Sequence, residues 1–335
     1  MRAAIVDKPG SIRVGEVPDP VAGDGQLVIK VGACGICGTD LHIADGEFPP
    51  TPYPIVPGHE FAGEIVEIGK NAPPEWQVGD RVAVDPSLFC GHCGPCRSGH
   101  GNLCENWNAT GDTVDGAFAE FVAVPAANAY HLPDSLDWQQ GALVEPVSCA
   151  VHGVRRIGVE AGERFLIVGA GTMGLLMQQL LQRGGASVTM VDRNAARLPR
   201  ATELGADAVA TDTAQLSGER FDAAVDCTGV PAAMEAAFNS IRRGGRLLIF
   251  GVAPGDAHVN FSPFRIYNDE LTIVGSMAVL HSYGAALNLV ANGAINTAAL
   301  LTDTLPLSDF PKALELMRSG AGLKVQVLPN AEQEG

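Results

Sequence analysis

Four cysteines fall within fifteen residues in the stretch CGHCGPCRSGHGNLC, at Cys90, Cys93, Cys96 and Cys104. The spacing is C-x2-C-x2-C-x7-C. Four thiolates complete a tetrahedral zinc shell and leave no open position, so a lobe over residues 90–104 is expected to carry a structural zinc ion. His92 and His100 lie among these cysteines and are not needed once four sulfurs are present. A sparser set lies elsewhere. ACGICGTDLH offers Cys37, Thr39, Asp40 and His42, PGHEFAGEIVEIG offers His59 and Glu60, and GALVEPVSCAVHG offers Glu145, Cys149 and His152. By residue type alone this second set fits metal and proton chemistry. It equally fits a free thiol, a core histidine and solvated acids.

A third stretch, GAGTMG, runs from Gly169 through Gly171, Thr172 and Met173 to Gly174 and matches G-x-G-x-x-G. It follows the apolar run RFLIV and opens an amphipathic segment, the context in which such a loop binds a dinucleotide. The helix N-terminus then offers unpaired N–H groups to a pyrophosphate. Strand SVTMVD ends at Asp192, eighteen residues beyond Gly174. A carboxylate there binds both ribose hydroxyls and repels a 2′-phosphate, which favours NAD over NADP. Arg193 and Arg197 weaken that preference, because a neighbouring guanidinium accommodates the phosphate.

These residues must be positioned by two kinds of structure. Up to about residue 154 the chain reads as β-rich, with RAAIV, QLVIKVGAC, GEIVEIG and RVAVD set between Gly, Pro and Asp. From residue 155 strands and helices alternate. RFLIVGA, SVTMVD, DAVAT, FDAAVDCTG, GRLLIFG and LTIVGSM read as strands. TMGLLMQQLLQRGG, NAARLPRATELG and PAAMEAAFNSIRRGG read as helices, the pattern of a doubly wound parallel sheet. From about residue 284 two helical stretches and the strands LTDTLPL and KVQVLP are expected to return to the first domain. The expected division is therefore 1–154 with 284–335, and 155–283.

Bulk properties narrow the function. The 335 residues suggest about two domains. The 40 glycines and 22 prolines indicate many turns. A net charge of −16 disfavours nucleic acid or an anionic membrane as partner. No apolar run reaches the roughly 18 residues of a membrane span, and MRAAIVDKPG lacks the apolar segment of a signal peptide. The expectation is a cytoplasmic protein whose clustered thiols hold metal rather than disulfides.

Taken together and in order, GICGTDLH, GHEFAG, the four-cysteine lobe, the EPVS stretch and GAGTMG resemble the zinc-containing medium-chain dehydrogenase/reductase (alcohol dehydrogenase) family over nearly the whole chain. The resemblance implies an α/β protein, with a GroES-like β-rich catalytic domain and a Rossmann domain inserted into it. It implies two zinc ions per subunit, one catalytic and one structural, with NAD as cofactor. Carried over by residue, Cys37 and His59 look like catalytic zinc ligands, and Asp40 like the acid that orients a ligand imidazole. Thr39 and His42 look like a relay that carries the substrate proton to solvent by way of the cofactor ribose. Lys324, in GLKVQVL, is expected near the cofactor diphosphate. Phe118, in the loop DGAF at 115–118, is expected as a wall of the substrate pocket.

Many alcohol dehydrogenases of this family carry a cysteine ligand at the position of Glu145, whereas Glu-Pro is the pattern of the polyol (sorbitol-type) branch. There Glu60 looks like the third ligand, with Glu145 in the shell or one water away. Cys149 and His152 then become packing residues. The implied reaction is hydride transfer from a secondary alcohol, foremost a polyol or vicinal diol, to NAD+. L-Threonine and simple alcohols are the alternatives, and a non-catalytic NAD(H)-binding sensor is the remote one. Residues 98 to 154 contain no Lys or Arg, which counts against a phosphorylated sugar. The strand LTIVGSM, at a sheet edge, could pair with a second copy in a homodimer or homotetramer.

Overall fold

The computed structural model describes residues 1–216 and 218–331. The chain folds into two compact units: Met1–Ser148 with the segment that begins at Val279, and Cys149–Ala278. The boundaries expected at 155 and 284 thus fall at 149 and 279. The first lies inside one continuous helix, so no Gly- or Pro-rich linker marks it in the sequence.

In the first unit β1 (Arg2–Lys8) and β2 (Ser11–Glu16) form an antiparallel pair. There follow β3 (Gln26–Gly35), α1 (Gly38–Asp45), β4 (Glu60–Ile68) and β5 (Arg81–Val84). A small excursion carries β6 (Ser87–Leu88), α2 (Gly94–Arg97) and β7 (Asn108–Ala109). Then come β8 (Phe121–Pro125), β9 (Ala129–His131), α3 (Trp138–Ala142) and α4 (Val144–Ile157). Leu27, Ile29 and Val31 alternate along β3 and pack with Phe61 and Ile65 of β4 and Val82 and Val84 of β5. Burying each such side chain contributes about 1.5–3 kcal/mol before its conformational entropy is charged.

The second unit contains β10 (Arg164–Val168), α5 (Thr172–Arg183), β11 (Ser187–Val191), α6 (Leu198–Glu203) and β12 (Ala208–Ala210). It continues with β13 (Phe221–Asp226), α7 (Pro231–Ser240), β14 (Ile241–Ile249), α8 (Pro263–Asn268) and β15 (Thr272–Gly275). The strands are parallel, in the order β12-β11-β10-β13-β14-β15, with β15 at an edge. The order reverses at β10, where α/β sheets open a ligand crevice beyond the strand ends. The helix expected to run to Gly245 stops at Ser240 instead. β-Branched Ile241 begins β14, and Gly244, at φ 70°, takes a backbone conformation that no helix continues through.

Back in the first unit are α9 (Tyr283–Ala291), β16 (Leu301–Pro306), α10 (Phe310–Ser319) and β17 (Lys324–Leu328). The large sheet there has the order β16-β17-β3-β4-β5-β9, with β8 also paired to β3. β3 therefore meets β4 along one edge, and the C-terminal β17 pairs with its end through Gly35 and Cys34. Among the described residues no helix is long and apolar enough to cross a membrane.

Candidate active site and metal centres

The four sulfurs of Cys90, Cys93, Cys96 and Cys104 lie within 4.8 Å of one another. Backbone N–H groups of Cys90 and Asn106 point at Cys104 Sγ, at 3.4 and 3.3 Å. Hydrogen bonds from the His92 and Cys93 backbone pull the Cys90 thiol down to about 6. Desolvation and the neighbouring sulfurs push Cys96 up to about 12. Four thiolates this close cannot all ionise without a cation, so the donor set fits a thiophilic dication and has no vacant corner. His92 and His100 are exposed and turn to the Cys90 carbonyl and the Ser98 hydroxyl. No cysteine among the described residues is in a disulfide.

A second set forms where strands end. Gly35, near the end of β3, pairs with Glu60, the first residue of β4, and with Gln326 of β17. Cys37 follows two residues after β3 ends its run, and His59 immediately precedes β4. One ligand atom each from Cys37, His59 and Glu60 lies within 4.8 Å of the others, with His59 and Glu60 buried. Sulfur, imidazole nitrogen and carboxylate oxygen are all zinc donors, and three such ligands leave a position for substrate. The Glu60 carboxylate occupies the space where a side chain on residue 35 would stand, 2.1 Å from the place of its Cβ.

Cys37 is the N-cap of α1, and Asp40 Oδ2 accepts the Cys37 N–H at 2.8 Å. Asp40 Oδ1 is buried, has no hydrogen-bond partner, and stands 4.0 Å from His59 Nδ1. The carboxylate closest to that nitrogen belongs to Asp112, at 2.9 Å. Asp112 reaches it because the loop GDTVDG packs on the PGHE turn: a Cβ on Gly111 would fall 2.3 Å from the Gly58 carbonyl oxygen. The imidazole-orienting acid expected at Asp40 is thus corrected to Asp112. Asp40 is spent chiefly on capping α1, and nothing in the spacing of Asp112 from His59 marks the contact.

The site favours positive charge. Burial alone would lower the His59 pKa, but the charge and proximity of Asp112, then Cys37, hold it well above its ordinary value. Burial raises Asp40 to about 7. A dication answers both, satisfying the imidazole side by ligation and the acids by charge. Thr39 Oγ1 lies 3.8 Å from Cys37 Sγ. His42, half-exposed on α1, pairs with Glu47 through Nδ1 at 2.8 Å. Glu145 is buried in the first turn of α4 and, outside the three-ligand set, is near enough for its charge to act on Lys324. His152 is buried and Cys149 half-buried on α4.

Two expectations are corrected here. Lys324, placed by sequence near the cofactor diphosphate, is 2% exposed and donates to both Glu60 oxygens at 2.6 and 2.8 Å. The pairing of β17 with β3 carries it to the zinc-type donors. Phe118, expected to line the substrate pocket, is fully buried against Phe310 with ring centroids 4.7 Å apart. An aromatic ring in the sheet core contributes to packing, not to a pocket wall.

In the second unit, Gly171 is the N-cap of α5, followed by Thr172 and Met173. A Cβ on Gly174 would stand 1.8 Å from the Gly169 carbonyl oxygen, so helix and loop close as tightly as the motif requires. Residue 171 faces open space, with only Arg197 Nη1 near, at 3.9 Å. A cavity of about 580 Å³ is lined here by Gly169, Gly171, Asp192, Arg193, Arg197 and Thr228. Asp192 Oδ2 accepts the Ala170 N–H and Oδ1 the Asn194 N–H, both at 2.7 Å, while Arg197 Nη1 lies 3.8 Å away. The cavity therefore presents glycine backbone to a pyrophosphate and an acid to a ribose.

Comparison with known proteins agrees with this geometry. Residues 23–134 match the alcohol dehydrogenase GroES-like domain, and residues 172–292 match the zinc-binding dehydrogenase family. D-arabinitol dehydrogenase 1 of Uromyces fabae is 37% identical over 98% of this chain and 97% of its own. A structure of 2R,3R-butanediol dehydrogenase from Bacillus subtilis superposes with a TM-score of 0.88 at 32% identity, covering 98% of this chain and 99% of that one. A zinc-binding dehydrogenase structure from Sinorhizobium meliloti 1021, described as bound to NADP, gives a TM-score of 0.94 at 36% identity, over 98% and 99%. The chain belongs to the zinc-containing medium-chain dehydrogenase/reductase family, in its polyol dehydrogenase branch.

Proposed function

We propose that this protein oxidises a secondary alcohol of a polyol or vicinal diol and passes the hydride to NAD+. The convergence of Cys37, His59 and Glu60 within 4.8 Å carries the reading. These three would hold a catalytic zinc, with Glu145 beside it, and the four-cysteine lobe would hold a structural one. When bound, zinc draws electron density from the alcohol oxygen and the nicotinamide ring accepts the hydride. Asp112 holds the His59 ring in place from the side away from that chemistry. Thr39, on the first turn of α1, takes the hydroxyl proton. His42, half-exposed one turn later, delivers it to solvent, and Glu47 steadies the ring as it charges.

The substrate class is supported by the D-arabinitol and 2R,3R-butanediol relatives, which bear two or more hydroxyls by name. The donor set fits it too: a shell with one thiolate leaves a more Lewis-acidic metal, suited to a substrate that offers a second hydroxyl. The nicotinamide cofactor is NAD in this reading, because the Asp192 carboxylate faces the cavity and repels a 2′-phosphate. The exposed edge of β15 offers a strand for pairing two copies into a homodimer, or into a homotetramer built on it.

The test is cofactor reduction over a panel of polyols, vicinal diols, L-threonine and simple alcohols, with NAD and with NADP. Highest kcat/KM on a polyol or diol with NAD is expected. Preferred turnover of L-threonine transfers the assignment to an amino-acid alcohol, and turnover of no compound contradicts an enzymatic role.

A further inference from the structure

A buried ammonium group sits on the one oxygen donor of the candidate catalytic set. Lys324 Nζ donates to Glu60 Oε1 and Oε2 and to the Ile36 carbonyl at 3.0 Å, so each of its three protons has a protein acceptor. Lys324 is 2% exposed and Glu60 1%. Neither partner can drift: Ile36 N–H bonds to the Val325 carbonyl, locking β17 to β3, and the Glu60 carboxylate is seated over Gly35.

Burying a lysine carries a heavy desolvation cost, and this one is placed where it opposes a dication. It repels the metal through a low-dielectric interior and occupies carboxylate lone pairs that the metal would use. Neutralising Glu60 in the metal-free chain has the same sign, since it removes part of the drive to bind a cation. Every consequence of the pair lowers metal affinity.

We propose that Lys324 is a positioning residue that acts through Glu60. It claims the carboxylate against the metal, so that Cys37 and His59 hold the catalytic ion firmly and Glu60 is its weak, exchangeable ligand. The inference rests on the reading that Cys37, His59 and Glu60 form the catalytic metal site.

The test uses the holoenzyme loaded with two zinc ions and challenged with a chelator, each metal being followed to release. The four-cysteine metal serves as an internal reference. Lys324→Met is expected to keep its catalytic metal about ten- to a hundredfold longer than the native protein, the scale on which groups behind a ligand change metal affinity. Lys324→Arg is expected to behave as native. With cobalt in the catalytic site, the visible bands shift in Lys324→Met and not in Lys324→Arg. In a Glu60→Gln background, replacing Lys324 is expected to change retention little. If Lys324→Met does not fold, Lys324→Gln, which keeps a donor but not the charge, carries the same expectation. Release from the charge-neutral variant at the native rate or faster overturns the inference while leaving the metal site intact. A native chain that binds metal only in the cysteine lobe overturns the site itself, and this inference with it.

Discussion

The two candidate metal clusters differ in what would hold them together without a metal. Cys90, Cys93, Cys96 and Cys104 sit on short turns, and α2 between them buries none of its residues. Leu103, the large apolar residue of that stretch, is 54% exposed. Cys37, His59 and Glu60 instead stand at the ends of β3 and β4, over a sheet core of fully buried Leu27, Ile29, Val31, Phe61 and Ile65. The lobe has no packing of its own to replace a lost ion, whereas the strand-end site keeps its shape from the sheet. Metal in the first is therefore worth structure, and metal in the second is worth chemistry.

The sharpest way to break that contrast is at one ligand in each cluster. Cys37→Ser is expected to lower kcat/KM by at least about a hundredfold, the scale of a disturbed metal site, while Tm moves by less than about 2 °C, as for a polar change that opens no core cavity. Cys93→Ser is expected to do the reverse in kind, lowering Tm by roughly 5–10 °C and cutting metal content by one ion per chain. Should Cys37→Ser melt as early as Cys93→Ser, the strand-end metal is structural as well. A smaller effect is expected one step behind the ligands. Asp112→Asn should weaken catalytic metal retention about tenfold, and more than Asp40→Asn does, since Asp112 lies 2.9 Å from His59 Nδ1 and Asp40 lies 4.0 Å away. Timed loss of zinc to a chelator measures both.

The smallest effect concerns α1, which presents Thr39 and His42. Arg318 of α10 donates to both Asp45 oxygens, at 2.7 and 2.9 Å, and holds the Asp45 carboxyl below its ordinary value. A depressed acid stabilises the fold above its unfolded-chain value near 4 and loses that contribution as pH falls through its folded value. Both side chains are more than a third exposed, so solvent screening limits the pair to less than about 1 kcal/mol. Arg318→Ala is expected to lower urea stability by that amount near neutral pH and by nothing near pH 2.

The same contrast explains what could be read from the chain alone. The cysteine lobe is contiguous, so its spacing already states its geometry, and GAGTMG is legible because one strand–turn–helix contains it. Cys37, His59 and Glu60 are legible as residue types beside strand ends. Asp112 and Lys324 are not, because their places depend on tertiary contacts: the close approach of Gly111 to Gly58, and the pairing of β17 with β3 across almost the whole chain. Phe118 misleads for a related reason, since a loop residue and a core residue look alike until the opposing Phe310 is known. The end of α7 was obscured by a run, SIRRGG, whose arginines favour helix as readily as strand.

The account turns on two metals with separate duties, and one time course addresses it directly. Native enzyme loaded with zinc is treated with a chelator while metal content, polyol-dependent NAD reduction and Tm are followed together. The account predicts that activity falls with loss of a first ion while Tm holds, and that Tm falls only as a second ion leaves. Activity that survives loss of the first ion, or activity and Tm that decline together from the start, would contradict it.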